Sequence, residues 1–261
     1  MTCSEVNACR AMAAHDDLLR SKCLPSQNSI SVAHDKVVID LQAKPDDFIS
    51  LYKSAVADPK LSAKVPLLEA NDGKAVIAES MVILDYLEDL SPASQFTAEQ
   101  KARMRLFANL FPGRLSSFGI LKAEPGSEEE TAAVDKLRED LRAMDAFLAE
   151  TTTDSAETTT DSAGGPFLFG SDFSYAEAAA APFAQRLAII LPNLRPAVEG
   201  GRPALDPKAW MAEDSLTRLS DWMDAVCARP SCVDSLPPPD ELCASYSAMV
   251  ERMKGMAMAA K

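Results

Sequence analysis

The residues Val65-Pro-Leu-Leu-Glu69, Asn71-Asp-Gly73 and Ala75-Val-Ile-Ala78 constrain this chain more than any others. Two short apolar runs flanking an Asp-Gly turn spell an antiparallel hairpin, because glycine adopts at the turn the positive φ that other residues resist. Directly after it, Glu79-Ser80 opens a helix whose apolar positions Met81, Ile83, Leu84 and Leu87 cover a broad face. Strand, turn, strand, helix is the compact ending of an α/β domain.

Upstream, Lys36-Val-Val-Ile-Asp-Leu41 reads as a short buried strand, a β-branched run too short for a helix. Lys44–Ser54 reads as a short helix opened by Pro45, a favoured first-turn residue. Val6–Lys22 spaces Ala8, Met12, Leu18 and Leu19 as an imperfect helical face, ended by Leu24-Pro25. The polar segment Pro25–Ser31 is turn-like.

Beyond Ser91–Ser94 the pattern becomes almost entirely helical, which divides the chain into an α/β domain over 1–90 and an all-helical domain over 97–261. Thr97 and Gln100 stand at capping-box spacing. Val134, Leu137, Leu141, Met144 and Leu148 form an amphipathic stripe within Glu128–Glu150. Ser174–Leu191 and Ala209–Arg229 follow the same logic, the second anchored by Trp210, Leu216, Leu219, Trp222, Met223 and Val226. The Met-rich tail Ser245–Met258 is expected to form a last helix or to fray. Between two of these helices, Thr-Thr-Thr-Asp-Ser-Ala-Glu at 151–157 is followed by Thr-Thr-Thr-Asp-Ser-Ala at 158–163. With no large apolar side chain, the repeat reads as a low-complexity loop over 151–165.

The net charge of −13 argues against a nucleic-acid surface, which needs a basic patch. No apolar run approaches the roughly 18 residues of a membrane span. Glu5, Arg10, His15, Asp16 and Asp17 interrupt any signal-peptide core, so a cytoplasmic location is expected. The six cysteines contain no Cys-x-x-Cys, and neither histidine falls at ligand spacing with them, so reduced thiols and no metal site are expected.

Lys64-Val-Pro-Leu-Leu-Glu69, Asp72-Gly73, Ile77-Ala-Glu-Ser80 and Ile83-Leu-Asp-Tyr-Leu87 together resemble the glutathione-binding edge of cytosolic glutathione transferases. Phe167-Leu-Phe-Gly170 with Ser174-Tyr-Ala-Glu177 resembles the capping box before that family's sixth helix. Leu219-Ser-Asp-Trp222 through Ala228-Arg-Pro-Ser231 resembles its late helix. The likeness runs from about Val37 to Pro239, and Lys44-Pro45 matches the lysine-proline of omega- and lambda-like members. It implies a thioredoxin-like N-terminal α/β domain joined to an all-α C-terminal bundle, with glutathione as substrate and no cofactor.

The resemblance also implies roles. A cis bond before Pro66 would turn Val65's backbone outward to pair with the ligand's cysteinyl unit. Ser80, at a helix start, would present its hydroxyl and free N–H groups to the γ-glutamyl carboxylate. Glu79 would accept from the ammonium on the same carbon. Lys44 would meet the glycine carboxylate, with Lys64 as substitute or companion. The thiol is activated in the family by a Tyr, Ser or Cys at the start of the first helix, which here points to Ser4 or Cys3, with Cys9 one or two turns inside. Yet only three residues precede Ser4, too few for a central first strand, and the family's Cys-Pro-Phe-Cys or Ser-Pro-Phe-Ser stretch is absent.

Conjugation of glutathione to a hydrophobic small-molecule electrophile is thus the leading expectation. Phe107, Phe111 and Phe118 are candidates for the electrophile's pocket, with core packing as the competing role of each. A homodimer through Met81–Leu87 and Ala102–Leu110 is implied as well. A non-catalytic binding or dimerisation module, and a glutathione-dependent thiol transferase using Cys3 or Cys9, are the alternatives.

Overall fold

The structure, a computed structural model, describes residues 9–13, 34–90, 96–155 and 164–259. They divide into one compact unit ending at Gln100 and another beginning at Lys101.

In the first unit a four-stranded sheet has the order β2-β1-β3-β4. These strands are β1 (Cys9–Ala13), β2 (His34–Val38), β3 (Leu67–Ala70) and β4 (Ala75–Ala78). β1 runs parallel to β2 and antiparallel to β3, and β3 pairs antiparallel with β4 through Leu67↔Ala78 and Ala70↔Ala75. The hairpin turn has Asn71, Asp72 and Gly73 all at positive φ, as its sequence predicts. Two helices follow the pattern, α1 (Asp46–Val56), just after Pro45, and α2 (Ser80–Asp89).

Alternation along the strands decides which face each helix covers. Leu68, Ala70 and Ile77 pack with Ile83 and Leu87 of α2. Leu67, Val76 and Ala78 pack with Met12, Ile39, Phe48 and Tyr52, the last two from α1. Among the described residues the sheet therefore carries a helix on each face, the arrangement expected for a sheet containing a parallel pair.

Three upstream expectations are corrected. The segment read as a helix over Val6–Lys22 contains β1, and Cys9 begins a strand. The central first strand is present, placed after Ser4 and not before it. β2 starts at His34, and as an edge strand it leaves Lys36 and Val38 exposed, the latter at 51%, so it is not the buried strand expected.

The described residues of the second unit are mostly helical, with α3 (Ala98–Arg114), which begins just before the boundary, α4 (Phe118–Lys122), α5 (Glu128–Ser155) and α6 (Tyr175–Leu194). They are followed by α7 (Pro207–Glu213), α8 (Thr217–Ala228), α9 (Pro230–Val233) and α10 (Pro239–Ala259). At the start of α3, Thr97 N–H donates to Gln100 Oε1 and Gln100 N–H to Thr97 Oγ1, the reciprocal cap expected. Phe107 and Phe111 pack edge-on and tilted against the fully buried Trp222 of α8, in the core role that competed with a pocket. Phe118, half-buried, stacks on Tyr246 of α10.

The single helix expected over Ala209–Arg229 is broken, because Ser215 takes a left-handed φ of 56° and Asp206 caps α7 through Lys208 N–H. The repeat is also shorter as a loop than expected. Its first residues extend α5 to Ser155, and Thr151 is buried where its hydroxyl donates to Phe147 O and accepts from Arg103 Nε. The remainder of the repeat lies outside the described residues.

Candidate functional site

The register Leu67↔Ala78 sets Val65-Pro66, just before β3, beside Glu79-Ser80, just after β4, at the end of the hairpin away from its turn. The Val65–Pro66 bond is cis. Pro66 is buried while Val65 is half-buried, outside the ladder that begins at Leu67.

Glu79 caps α2 with φ 71° and ψ 121°, a left-handed conformation uncommon for a side chain larger than glycine. Its carbonyl accepts from Ile83 N–H at 3.0 Å, which begins the helical ladder and leaves the N–H groups of Ser80, Met81 and Val82 ahead of it. Among the described residues no side-chain hydrogen bond caps this helix start, and its first turn holds no acidic residue. The helix end is therefore electropositive and open to an anion.

Lys44, half-buried, donates from Nζ to Ala63 O at 2.8 Å, which draws its ammonium to the segment leading into Val65. An ammonium has three donors, so two stay available. Lys64 is exposed.

One contributor escaped the sequence reading. Tyr52, 1% exposed, donates its hydroxyl to Glu79 Oε1 at 3.0 Å across a separation of 27 residues. Burial, the hydrogen bond and the Glu79 charge push its phenol up, so it stays a donor at neutral pH. The pair Phe48 and Tyr52 at helical spacing marks the buried face of α1, but nothing local marks the hydroxyl's partner.

Ser4 and Cys3 lie outside the described residues. Both precede β1 in the chain.

Over residues 102–225 the chain matches the family model described as the glutathione S-transferase C-terminal domain. That segment, a little under half of the chain, is similar to the C-terminal domain of glutathione S-transferases. The chain is 31% identical over 90 residues to a probable glutathione transferase omega-2 of Caenorhabditis elegans. That stretch covers 33% of this chain and 32% of the relative, so it spans about a third of the relative's length. Solved structures share the transferase fold. The Tau class glutathione S-transferase of mango, Mangifera indica, is similar at 20% identity and TM-score 0.65, covering 93% of this chain and 98% of that one. A rice GST in complex with glutathione is similar at 19% identity and TM-score 0.61, covering 95% and 99%. No helix among the described residues is long and apolar enough to cross a membrane, and no cluster of metal-ligating side chains occurs among them.

Within the helical unit the buried thiols are held neutral. Burial, with the neighbouring Cys232, pushes the Cys227 thiol up to about 12, and burial likewise raises Cys232. A protonated thiol is a poor nucleophile. Treating the native protein with iodoacetamide at about pH 7.5 should leave both unmodified by mass spectrometry, whereas denatured protein should label fully. Carboxymethylation of either in the native state would contradict this environment.

Proposed function

We propose that this protein binds glutathione at the open end of the β3–β4 hairpin and joins its sulfur to small hydrophobic electrophiles. The observation that carries the reading is the pairing of cis Val65–Pro66 with Glu79-Ser80 at that one end. Glutathione is a tripeptide with charge at both ends and an amide backbone between. Val65's outward backbone suits the cysteinyl amide. The uncapped start of α2 and the Ser80 hydroxyl suit the γ-glutamyl carboxylate, and Glu79 suits its ammonium. Lys44, with Lys64 nearby in sequence, suits the glycine carboxylate. The names of the nematode relative and of the rice complex support the same ligand.

In the reaction the sulfur loses its proton, its electron pair forms a bond to the electrophilic carbon, and a leaving group departs or a double bond takes up the charge. A free thiol titrates near about 8.5, so a hydrogen-bond donor that favours thiolate raises the rate at neutral pH. A homodimer in the cytoplasm completes the reading.

Calorimetric titration with glutathione tests it. Wild type should bind, and Ser80→Ala should weaken binding by about 1–3 kcal/mol through loss of a hydrogen bond to a charged group. Unchanged affinity would remove Ser80 from the site. Binding without turnover of activated aryl halides or of mixed disulfides would leave a binding module and sink conjugation.

A further inference from the structure

Glu79 combines two features that a plain helix cap does not need: a left-handed backbone and a carboxylate gripped by a buried phenol. Tyr52 sits among Met12, Ile39, Phe48, Ala63 and Leu67, an apolar cluster to which Val65 and Ala78 also contribute. A phenylalanine would fill that cluster equally well, so packing alone does not call for the hydroxyl. Its position does matter for Glu79, which is exposed and has no cationic partner among the described residues. A free glutamate samples several rotamers. Here one oxygen is tied to a donor rooted in the core, which leaves the other oxygen to accept from outside.

We propose that Tyr52 is a positioning residue for ammonium recognition: by donating to Glu79 Oε1 it fixes the carboxylate so that Oε2 meets the α-ammonium of a γ-glutamyl ligand. This rests on the glutathione reading above. It makes the site discriminate for an α-amino group, so that ligands with the same peptide and carboxylates but no ammonium bind without any help from Tyr52. Both ends of α1 then serve one ligand, since Lys44 just before it reaches Ala63 O while Tyr52 near its end reaches Glu79.

The test compares glutathione with glutaryl-cysteinyl-glycine, which lacks only the α-amino group, by calorimetry on wild type, Tyr52→Phe, Glu79→Gln and the double variant. Wild type should prefer glutathione by about tenfold or more, as expected for a charge-assisted hydrogen bond. Tyr52→Phe should weaken glutathione about fivefold to tenfold and leave the glutaryl ligand unchanged. In the Glu79→Gln background it should add little. In turnover KM should rise while kcat holds. Equal weakening of both ligands by Tyr52→Phe, or no weakening of glutathione, overturns the inference while leaving glutathione binding intact. Wild type that binds neither ligand overturns the glutathione reading and this inference with it. Should Tyr52→Phe not fold, the Tyr52 hydroxyl proton in wild type is followed by NMR. It should shift with glutathione and not with the glutaryl ligand, and an unmoved resonance with glutathione overturns the inference.

Discussion

Glu177→Ala should destabilise the helical domain by about 4 kcal/mol, read as a fall in denaturant midpoint with an unchanged slope. The carboxylate is wholly buried. Oε1 accepts from Leu168 N–H at 2.8 Å and Trp222 Nε1–H at 3.1 Å. Oε2 accepts from Ser174 N–H at 2.8 Å and Ser174 Oγ–H at 2.6 Å. Alanine would strand three N–H donors without water, and each unsatisfied buried donor costs about 1–3 kcal/mol. Partial relaxation of the Phe167–Gly170 turn keeps the expected loss toward the lower end of the roughly 3–9 kcal/mol that three such donors would cost. Glu177→Gln retains one acceptor for Leu168 and Trp222 but sets an amide against Ser174 N–H, so about half the loss is expected. A loss below about 1 kcal/mol for alanine would show that the loop, α6 and α8 do not depend on this carboxylate.

That network also shows what a sequence discloses. Ser174 and Glu177 were legible because a capping box is local, with three residues fixing both partners. The hairpin and α2 were legible for the same reason, and the cis bond was an expectation of the resemblance that Val65–Pro66 meets. The bond from Glu177 to Trp222 was not legible, because it spans 45 residues and depends on how α6 meets α8. The Tyr52–Glu79 bond failed to show for the same cause. β1 was hidden differently. Cys-Arg-Ala-Met-Ala holds no β-branched residue and favours helix by composition, yet pairing with β2 on one side and β3 on the other makes it a strand.

Arg195→Met should cost about 3 kcal/mol, for reasons that separate in a double-mutant cycle. Arg195 Nε donates to Glu130 Oε1 at 2.8 Å, and the Glu130 side chain is only 4% exposed. Nη2 meanwhile donates to Ile120 O, Leu121 O and Ala123 O, the carbonyls left open where α4 ends. The variant therefore removes a helix C-cap and leaves a buried carboxylate whose remaining partners among the described residues are Gly126 N–H at 2.8 Å and Arg202 Nε at 3.8 Å. Glu130→Gln alone keeps the carbonyl cap and should cost less. Adding Glu130→Gln to Arg195→Met removes the stranded charge, so it should recover about 1–2 kcal/mol, the remaining deficit being the lost cap. Full recovery would mean that the α4 carbonyls find water as easily as they found Arg195. No recovery would mean that Arg202 closes the gap to Glu130, and that the guanidinium stabilises the domain through the helix end alone.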